Sequence, residues 1–502
     1  MNSKARIDWH RRAQSLRADG NHFIDGLSVA SQDGRLFDVV NPATGAAHVQ
    51  AARGSREDVD TAVTAAGKAF PAWARMAPRD RMRILFDFAD AVEKDGRDLA
   101  LMDTLDMGMP ISSMFEVEVP EAADILRFFA EAVDKINGEV TRTDAAAFNY
   151  ILHEPMGVVG AITPWNFPLT QAVGKLAPAL AAGNSVVLKP SEQSPLSATR
   201  LAKLFVEAGG PPGVFNVVNG YGGEAGKALA RHMQVAKIAF TGSVAVGRKM
   251  LVYAGKSNLK QVATELGGKS PQIVLADVED IDFAVDCAMH GIFGNTGQVC
   301  NAASRMLVHA SVHDEFVEKL KRLTRENYVP GDPLDPDTTL GPLVSERQQQ
   351  TVLGYVDSGR AQGAHLAFGG VVPESIEGGY FIEPGLFTEV DNGMRIAQEE
   401  IFGPVAAVIR VQSEDEAVRV ANDTIYGLTA SVFTRDLGKA HRMARDIQAG
   451  VVWLNTINES DMTMPWGGVK QSGNARDNCL ATLYSYLQTK SVWTRIGQAG
   501  SA

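Results

Sequence analysis

Cysteine is scarce in this chain, with three in 502 residues. Three widely spaced thiols supply neither a disulfide framework nor metal-ligand spacing. That excludes a cystine-stapled scaffold and fits a reducing, cytoplasmic compartment. Long apolar runs are missing too. No stretch reaches the ~20 uninterrupted apolar residues that a membrane span needs. The polar start Met1-Asn-Ser-Lys-Ala-Arg6 lacks the apolar core of an export signal. Positive charge is also short: 48 Lys and Arg against 59 Asp and Glu leave a formal net charge of −11. No basic run interleaved with aromatics offsets the deficit, so a nucleic-acid surface is not expected.

What is present describes a packed, enzyme-like body. Hydrophobic residues make up 45% and charged residues 21%, ordinary proportions for a globular chain. The length exceeds the ~250–300 residues that one core usually fills, so two large domains are expected. Apolar spacing of three and four predicts amphipathic helices over 55–70 and 79–94, with Ser55 and Asp58 as an N-cap pair. From about residue 158 short apolar runs alternate with helical stretches: Val158–Ile162, Ser185–Leu188, Val214–Val218 and Lys237–Phe240. A second such series follows from about Gly267, with Gln272–Leu275, Met306–His309, Val405–Ile409 and Val451–Leu454. This βαβα rhythm predicts an α/β fold with two doubly wound parallel sheets. The segments 329–343 and 369–385 read as surface loops. Leu483–Leu487 and Lys490–Thr494 read as β-prone pieces that must pair with a neighbouring edge.

One thiol stands apart. Cys300 sits in the glycine-punctuated run Phe293-Gly-Asn-Thr-Gly-Gln-Val-Cys300, whereas Cys287 falls at helical spacing among apolar residues and Cys479 has no comparable setting. Buried free cysteines act as small hydrophobes. A turn that supplies amide dipoles or a nearby base can instead hold a nucleophilic thiolate.

Four further strings belong with Cys300: Pro164-Trp-Asn-Phe-Pro168, Lys189-Pro-Ser-Glu192, Phe240-Thr-Gly-Ser243 and Glu265-Leu-Gly-Gly-Lys-Ser-Pro271. Taken with Gly297–Cys300 and Glu399-Glu-Ile-Phe-Gly-Pro-Val405, in this order and spacing, they resemble the NAD(P)-dependent aldehyde dehydrogenase superfamily over nearly the whole chain. The ends, Ile7-Asp-Trp and Asp461–Asn474, resemble most the branch of γ-glutamyl-γ-aminobutyraldehyde dehydrogenases. On residue type alone Asn166 is a loop residue, Glu265 a strand-end acid and Lys189–Glu192 a surface ion pair.

The resemblance implies catalytic roles: Cys300 as nucleophile, Asn166 with the Cys300 backbone N–H as oxyanion hole, and Glu265 as general base for thioester hydrolysis. For the cofactor it implies Gly242 and Ser243 at the diphosphate, where a strand end opens a helix running through Gly247. Lys189 and Glu192 would reach the adenosine ribose, and Glu399 and Phe402 the nicotinamide ribose and ring. Thr163, Trp165 and Leu266 would complete the cleft. Gly222, in the glycine-rich turn Gly220–Ala225, is a weaker phosphate cradle. Glu192 accepts hydrogen bonds from a free ribose diol and repels a 2′-phosphate, which favours NAD over NADP.

Several positions depart from the family's usual pattern. Gly174 stands where tryptophan is common, and Gly294 and Ser460 are small at the expected tunnel. A wide tunnel for a bulky, aromatic or amine-bearing aldehyde follows, with Glu459 and Asp461 making its mouth acidic. Ala475 replaces a glycine, which would be strained if that position needed positive φ. The resemblance further implies a cofactor domain from residues 1–137 and 156–267 and a catalytic domain from 268–471. A bridging segment from 138–155 and 472–502 would pair across subunits in a homodimer or homotetramer. The alternatives are a CoA-acylating dehydrogenase, against which Glu265 argues, and a catalytically silent protein of the same fold.

Overall fold

A computed structural model describes residues 7–496; most of the polar start and the last six residues lie outside the described residues. Two seven-stranded sheets dominate. The first is built on five parallel strands, ordered Gln261–Leu266, Val235–Gly242, Val158–Ile162, Ser185–Lys189 and Phe215–Val217. An antiparallel hairpin, His22–Ile24 and Leu27–Val29, extends its far edge. Every residue of Val158–Ile162 and of Ser185–Lys189 is buried. This is why these strands read as unbroken apolar runs and not as alternation.

The second sheet runs His365–Phe368, Gly385–Thr388, Val405–Val411, Arg305–His309, Pro271–Val274, Thr429–Phe433 and Val451–Leu454. Only His365–Phe368 is antiparallel to its neighbour. Three of these strands, including the fully buried Thr429–Phe433, lie where no strand is expected from the sequence. The helices Arg56–Arg75 and Pro78–Lys94 form as predicted. Ser55 and Asp58 cap the first of them reciprocally, with Pro78 at the first turn of the second.

A third, antiparallel sheet joins Glu139–Thr141, Ala147–Pro155 and Leu487–Arg495. The expected β-prone piece at 483–487 is corrected here: Cys479–Ser485 is helical and the strand begins only at Leu487. Tertiary packing overrides β propensity. Leu483 is fully buried in the core beside the first sheet. Lys237 donates to the Ser485 carbonyl at 2.6 Å and sits 4.5 Å from the centre of the Tyr486 ring.

Asn184 fastens this third sheet to the first. Fully buried, it accepts the Met156 and Gly157 N–H groups at 2.7 and 3.0 Å and donates to the Tyr486 carbonyl at 3.0 Å. Removing its side chain leaves several buried backbone groups unpaired, each costing about 1–3 kcal/mol. Asn184→Ala is therefore expected to lower the urea midpoint of unfolding by the equivalent of about 2–4 kcal/mol. An unchanged midpoint would show that water replaces the lost bonds.

Candidate active site between the two sheets

The loops that follow strands of the first sheet meet loops that precede strands of the second. Asn166 lies just beyond Val158–Ile162, and Gly267 and Gly268 just beyond Gln261–Leu266. Cys300 precedes Arg305–His309, and Glu400 precedes Val405–Val411. Contact between them is backbone-close. A Cβ on Gly268 would lie 2.6 Å from the Cys300 carbonyl oxygen, and one on Gly267 would overlap the Glu400 carboxylate. Glycine is required at both for steric reasons.

The turn into Cys300 is unusual. Asn295, Thr296 and Gly297 have φ of 46°, 55° and 70°, three left-handed residues in succession. For the two non-glycines this costs of order 1–3 kcal/mol each. Surrounding bonds hold the turn in place. Asn295 donates to the Asn166 carbonyl at 2.8 Å, Asn166 donates to the Gln298 carbonyl at 2.9 Å, and Gln298 accepts the Val344 N–H at 2.9 Å. One of the two amide N–H bonds of Asn166 remains uncommitted.

Cys300 separates two cavities. One, of about 230 Å³, is lined by Trp165, Asn166, Gly242, Ser243, Leu266, Glu400 and Phe402 among others. The Trp165 and Phe402 rings stand edge to face there, 5.2 Å apart. The other, of about 420 Å³, is lined by Gly174, Gly294, Ser460, Trp466, Glu118 and Glu121 among others. Cys287 and Cys479 are buried helix residues, as expected.

Burial governs the electrostatics. It pushes the Cys300 thiol up to about 12, with Glu400 and then Glu265 adding to the rise. Glu265 is 5% exposed, and neither carboxylate oxygen has a hydrogen-bond partner. Its proton affinity is well above the ordinary range, mainly through burial and secondarily through Asp477; Lys175 and Arg476 oppose the shift. Lys175 in turn donates to Asp477 at 2.5 Å. Burial also pushes Glu400 up to about 7, although it accepts the Gly268 N–H at 3.2 Å.

Three sequence expectations change. Glu399 faces away from the cleft: its carboxylate accepts from the Tyr355 hydroxyl at 2.7 Å and from Arg395 at 2.9 Å. Glu400 takes its place, because adjacent residues in the extended approach to a strand point to opposite sides. The two acids are indistinguishable in sequence, so the pair alone could not say which one enters. Glu459 and Asp461 do not line the larger cavity; the acids there are Glu118 and Glu121, with Asp477. Asp461 instead binds Thr463. Ala475 is not among the positive-φ residues, so the suspected strain is absent; Gly473, with φ of 134°, carries the turn.

The remaining residues are not among those lining the smaller cavity. Lys189 is buried and donates to Glu192 at 3.0 Å, with Gly226 beside its stem. Thr163 is buried and donates its N–H to the Lys189 carbonyl. Gly222 opens the π-type turn Gly222–Gly226 and is exposed. Gly247 packs tightly on Leu266, where a Cβ would come within 2.6 Å. Ser243 caps the helix Val244–Gly255, whose first N–H groups have no partner within the helix and so are free to bind an anion. Flat rings, a helix N-terminus and the Glu400 carboxylate around one cavity fit a dinucleotide.

The aldehyde dehydrogenase family model matches residues 28–492. The NADP/NAD-dependent aldehyde dehydrogenase PuuC of Escherichia coli K12 is 45% identical over 487 residues, covering 97% of both chains. Among solved structures, a γ-glutamyl-γ-aminobutyraldehyde dehydrogenase from Burkholderia cenocepacia J2315 superposes with a TM-score of 0.95 at 48% identity. It covers 98% of this chain and 99% of its own. An indole-3-acetaldehyde dehydrogenase in complex with NAD+ gives 0.95 at 46%, covering 97% and 99%. A thiol set between a dinucleotide cleft and a second cavity defines a cysteine-dependent oxidoreductase. The chain belongs to the aldehyde dehydrogenase family. It is an enzyme that oxidises aldehydes, and NAD is the supported cofactor ahead of NADP.

A thiol raised this far is protonated at neutral pH in the free enzyme. Iodoacetamide should therefore alkylate Cys300 at a rate that climbs about tenfold per pH unit between pH 7 and 9. Mass spectrometry of the Cys300 peptide reads the rate. A plateau below pH 8 would contradict the raised value.

Proposed function

We propose that the protein oxidises a bulky, aromatic or amine-bearing aldehyde to its carboxylic acid, with Cys300, Asn166 and Glu265 as the catalytic residues. The observation that carries this reading is the position of Cys300 at the partition between the two cavities. Its sulfur attacks the carbonyl carbon, and the thiol proton leaves to a neighbouring carboxylate. The free amide N–H of Asn166 and the Cys300 backbone N–H stabilise the resulting alkoxide; one such donor contributes ~2.7–4 kcal/mol in comparable sites. NAD, when bound, accepts the hydride that converts the thiohemiacetal to a thioester. Trp165, Gly242, Ser243, Leu266, Glu400 and Phe402 would hold its reactive half. Thr163, Lys189, Glu192, Gly222 and Gly247 would surround the remainder. Glu265, desolvated and close to Asp477, acts in its ionised form and takes a proton from the water that hydrolyses the thioester.

The three separate sheets support a cofactor domain over 1–137 and 156–267, a catalytic domain over 268–471 and a bridging segment over 138–155 and 472–502. Val140, Phe148, Leu152 and Trp493 are exposed on the third sheet, which supports a homodimer or homotetramer joined there. A cytoplasmic location fits the three free cysteines. No helix among the described residues is long and apolar enough to cross a membrane.

NADH formation at 340 nm across short aliphatic, ω-amino, phenyl and indolyl aldehydes tests the reading. Cys300→Ala should be silent with every one. Glu265→Gln should keep a burst of about one NADH per site followed by slow turnover, because only hydrolysis is impaired. Equal burst and steady rates in Glu265→Gln would remove its role as base. Acceleration by CoA in the wild type would favour the acyl-transferring alternative.

A further inference from the structure

The larger cavity is lined by two acids that face no lysine or arginine across it. Ile111–Ser113, the π-type turn Met114–Glu118 and the helix Val119–Ala132 form one continuous helical run. Three residues apart, Glu118 and Glu121 fall on the same side of it, and both line the cavity that reaches Cys300. The Glu118 side chain is 7% exposed. One of its oxygens accepts the Thr170 hydroxyl at 2.6 Å; the other has no partner in the protein. Among the described residues neither glutamate has an ion pair; no lysine or arginine lines the cavity, and His290, which does, faces Asp286 at 3.4 Å. The cavity's third acid, Asp477, is already neutralised by Lys175.

A buried carboxylate without a counter-charge is held at a cost of several kcal/mol. Burial, with Glu121 adding to it, pushes the Glu118 carboxyl up to about 8. A cation entering the cavity would relieve this cost, whereas an apolar aldehyde would leave it and a carboxylate-tailed one would increase it. Gly174 and Gly294, without side chains at the wall, leave width for a substituted nitrogen.

We propose that Glu118 and Glu121 form a cation subsite that selects aldehydes bearing an ammonium or quaternary ammonium group at the end remote from the carbonyl. This rests on the reading of Cys300 as the nucleophile at the inner end of the same cavity. It assigns the acidic character to the helical run 111–132, a different element from the 459–461 segment. The two acids bind the tail of the substrate and take no part in bond making at the carbonyl.

The test compares 4-trimethylammoniobutanal with its neutral carbon isostere 5,5-dimethylhexanal. The two match in shape, and the charge of the first is independent of pH. The wild type should show the higher kcat/KM for the charged aldehyde. The ratio of the two kcat/KM values should fall about tenfold in Glu121→Gln and further in Glu118→Gln/Glu121→Gln. Glu121 lies towards the mouth, so its single variant keeps the test open if the change at Glu118 prevents folding. A wild-type ratio near one, or a ratio unchanged in these variants, would overturn the subsite. If the wild type oxidises neither aldehyde, the dehydrogenase reading fails separately. Calorimetric titration of both aldehydes into Cys300→Ala then decides the subsite: tighter binding of the charged one upholds it, and equal affinity overturns it.

Discussion

The close approach of backbones at Gly267, Gly268 and Gly297 is the constraint on which the site depends. Loops of the two large sheets interlock, and they do so only because no side chain intervenes at these glycines. Gly268 lies against the Cys300 carbonyl, Gly267 against Glu400, and Gly297 against Gly403. A methyl group on Gly268 would push the nucleophile's loop away from the strand that carries Glu265, and one on Gly297 would push it off the Gly403 backbone. The chemistry is thus assembled by steric permission, and the hydrogen bonds of Asn166, Asn295 and Gln298 then fix what the glycines allow.

Water exclusion is the second consequence of that approach. Cys300, Glu265 and Glu400 all lose solvent, and each is pushed toward its neutral form. Lys269 follows the same rule with the opposite sign: fully enclosed and without a hydrogen-bond partner, it is brought down to about 7 by burial. Glu400 and Lys269, each brought to about 7, are poised for proton transfer near neutrality. They also avoid strong fixed ion pairs that would anchor them away from a reacting atom.

Much of this was legible in the sequence where the pattern is local. The strand Val158–Ile162 and the centre Val186–Leu188 of the next are unbroken apolar runs, and Ser55 with Asp58 announces a helix start. Cys300 is marked by its glycine-rich run. What was not legible depends on side-chain direction or on distant packing. Nothing in two adjacent glutamates says that Glu400 enters the cleft while Glu399 turns to Tyr355 and Arg395. Tyr484 has β propensity, yet the helix Cys479–Ser485 forms because Leu483 finds a core 300 residues upstream in the chain. Glu118 and Glu121 are part of no motif in the sequence and come into view only with the cavity wall they help to line.

The last described segment reaches back to the middle of the chain three times. Asn184 bonds the Tyr486 carbonyl, Lys175 pairs with Asp477, and the Glu265 backbone bridges to Gly473. The first two of these span 302 positions each, and contacts so distant in sequence form slowly because long loops must close first. A refolding chain can therefore hold both parallel sheets while the Glu265 carboxylate still lacks its cover. Recovered secondary structure and recovered turnover become separate clocks, and turnover dates the final closure.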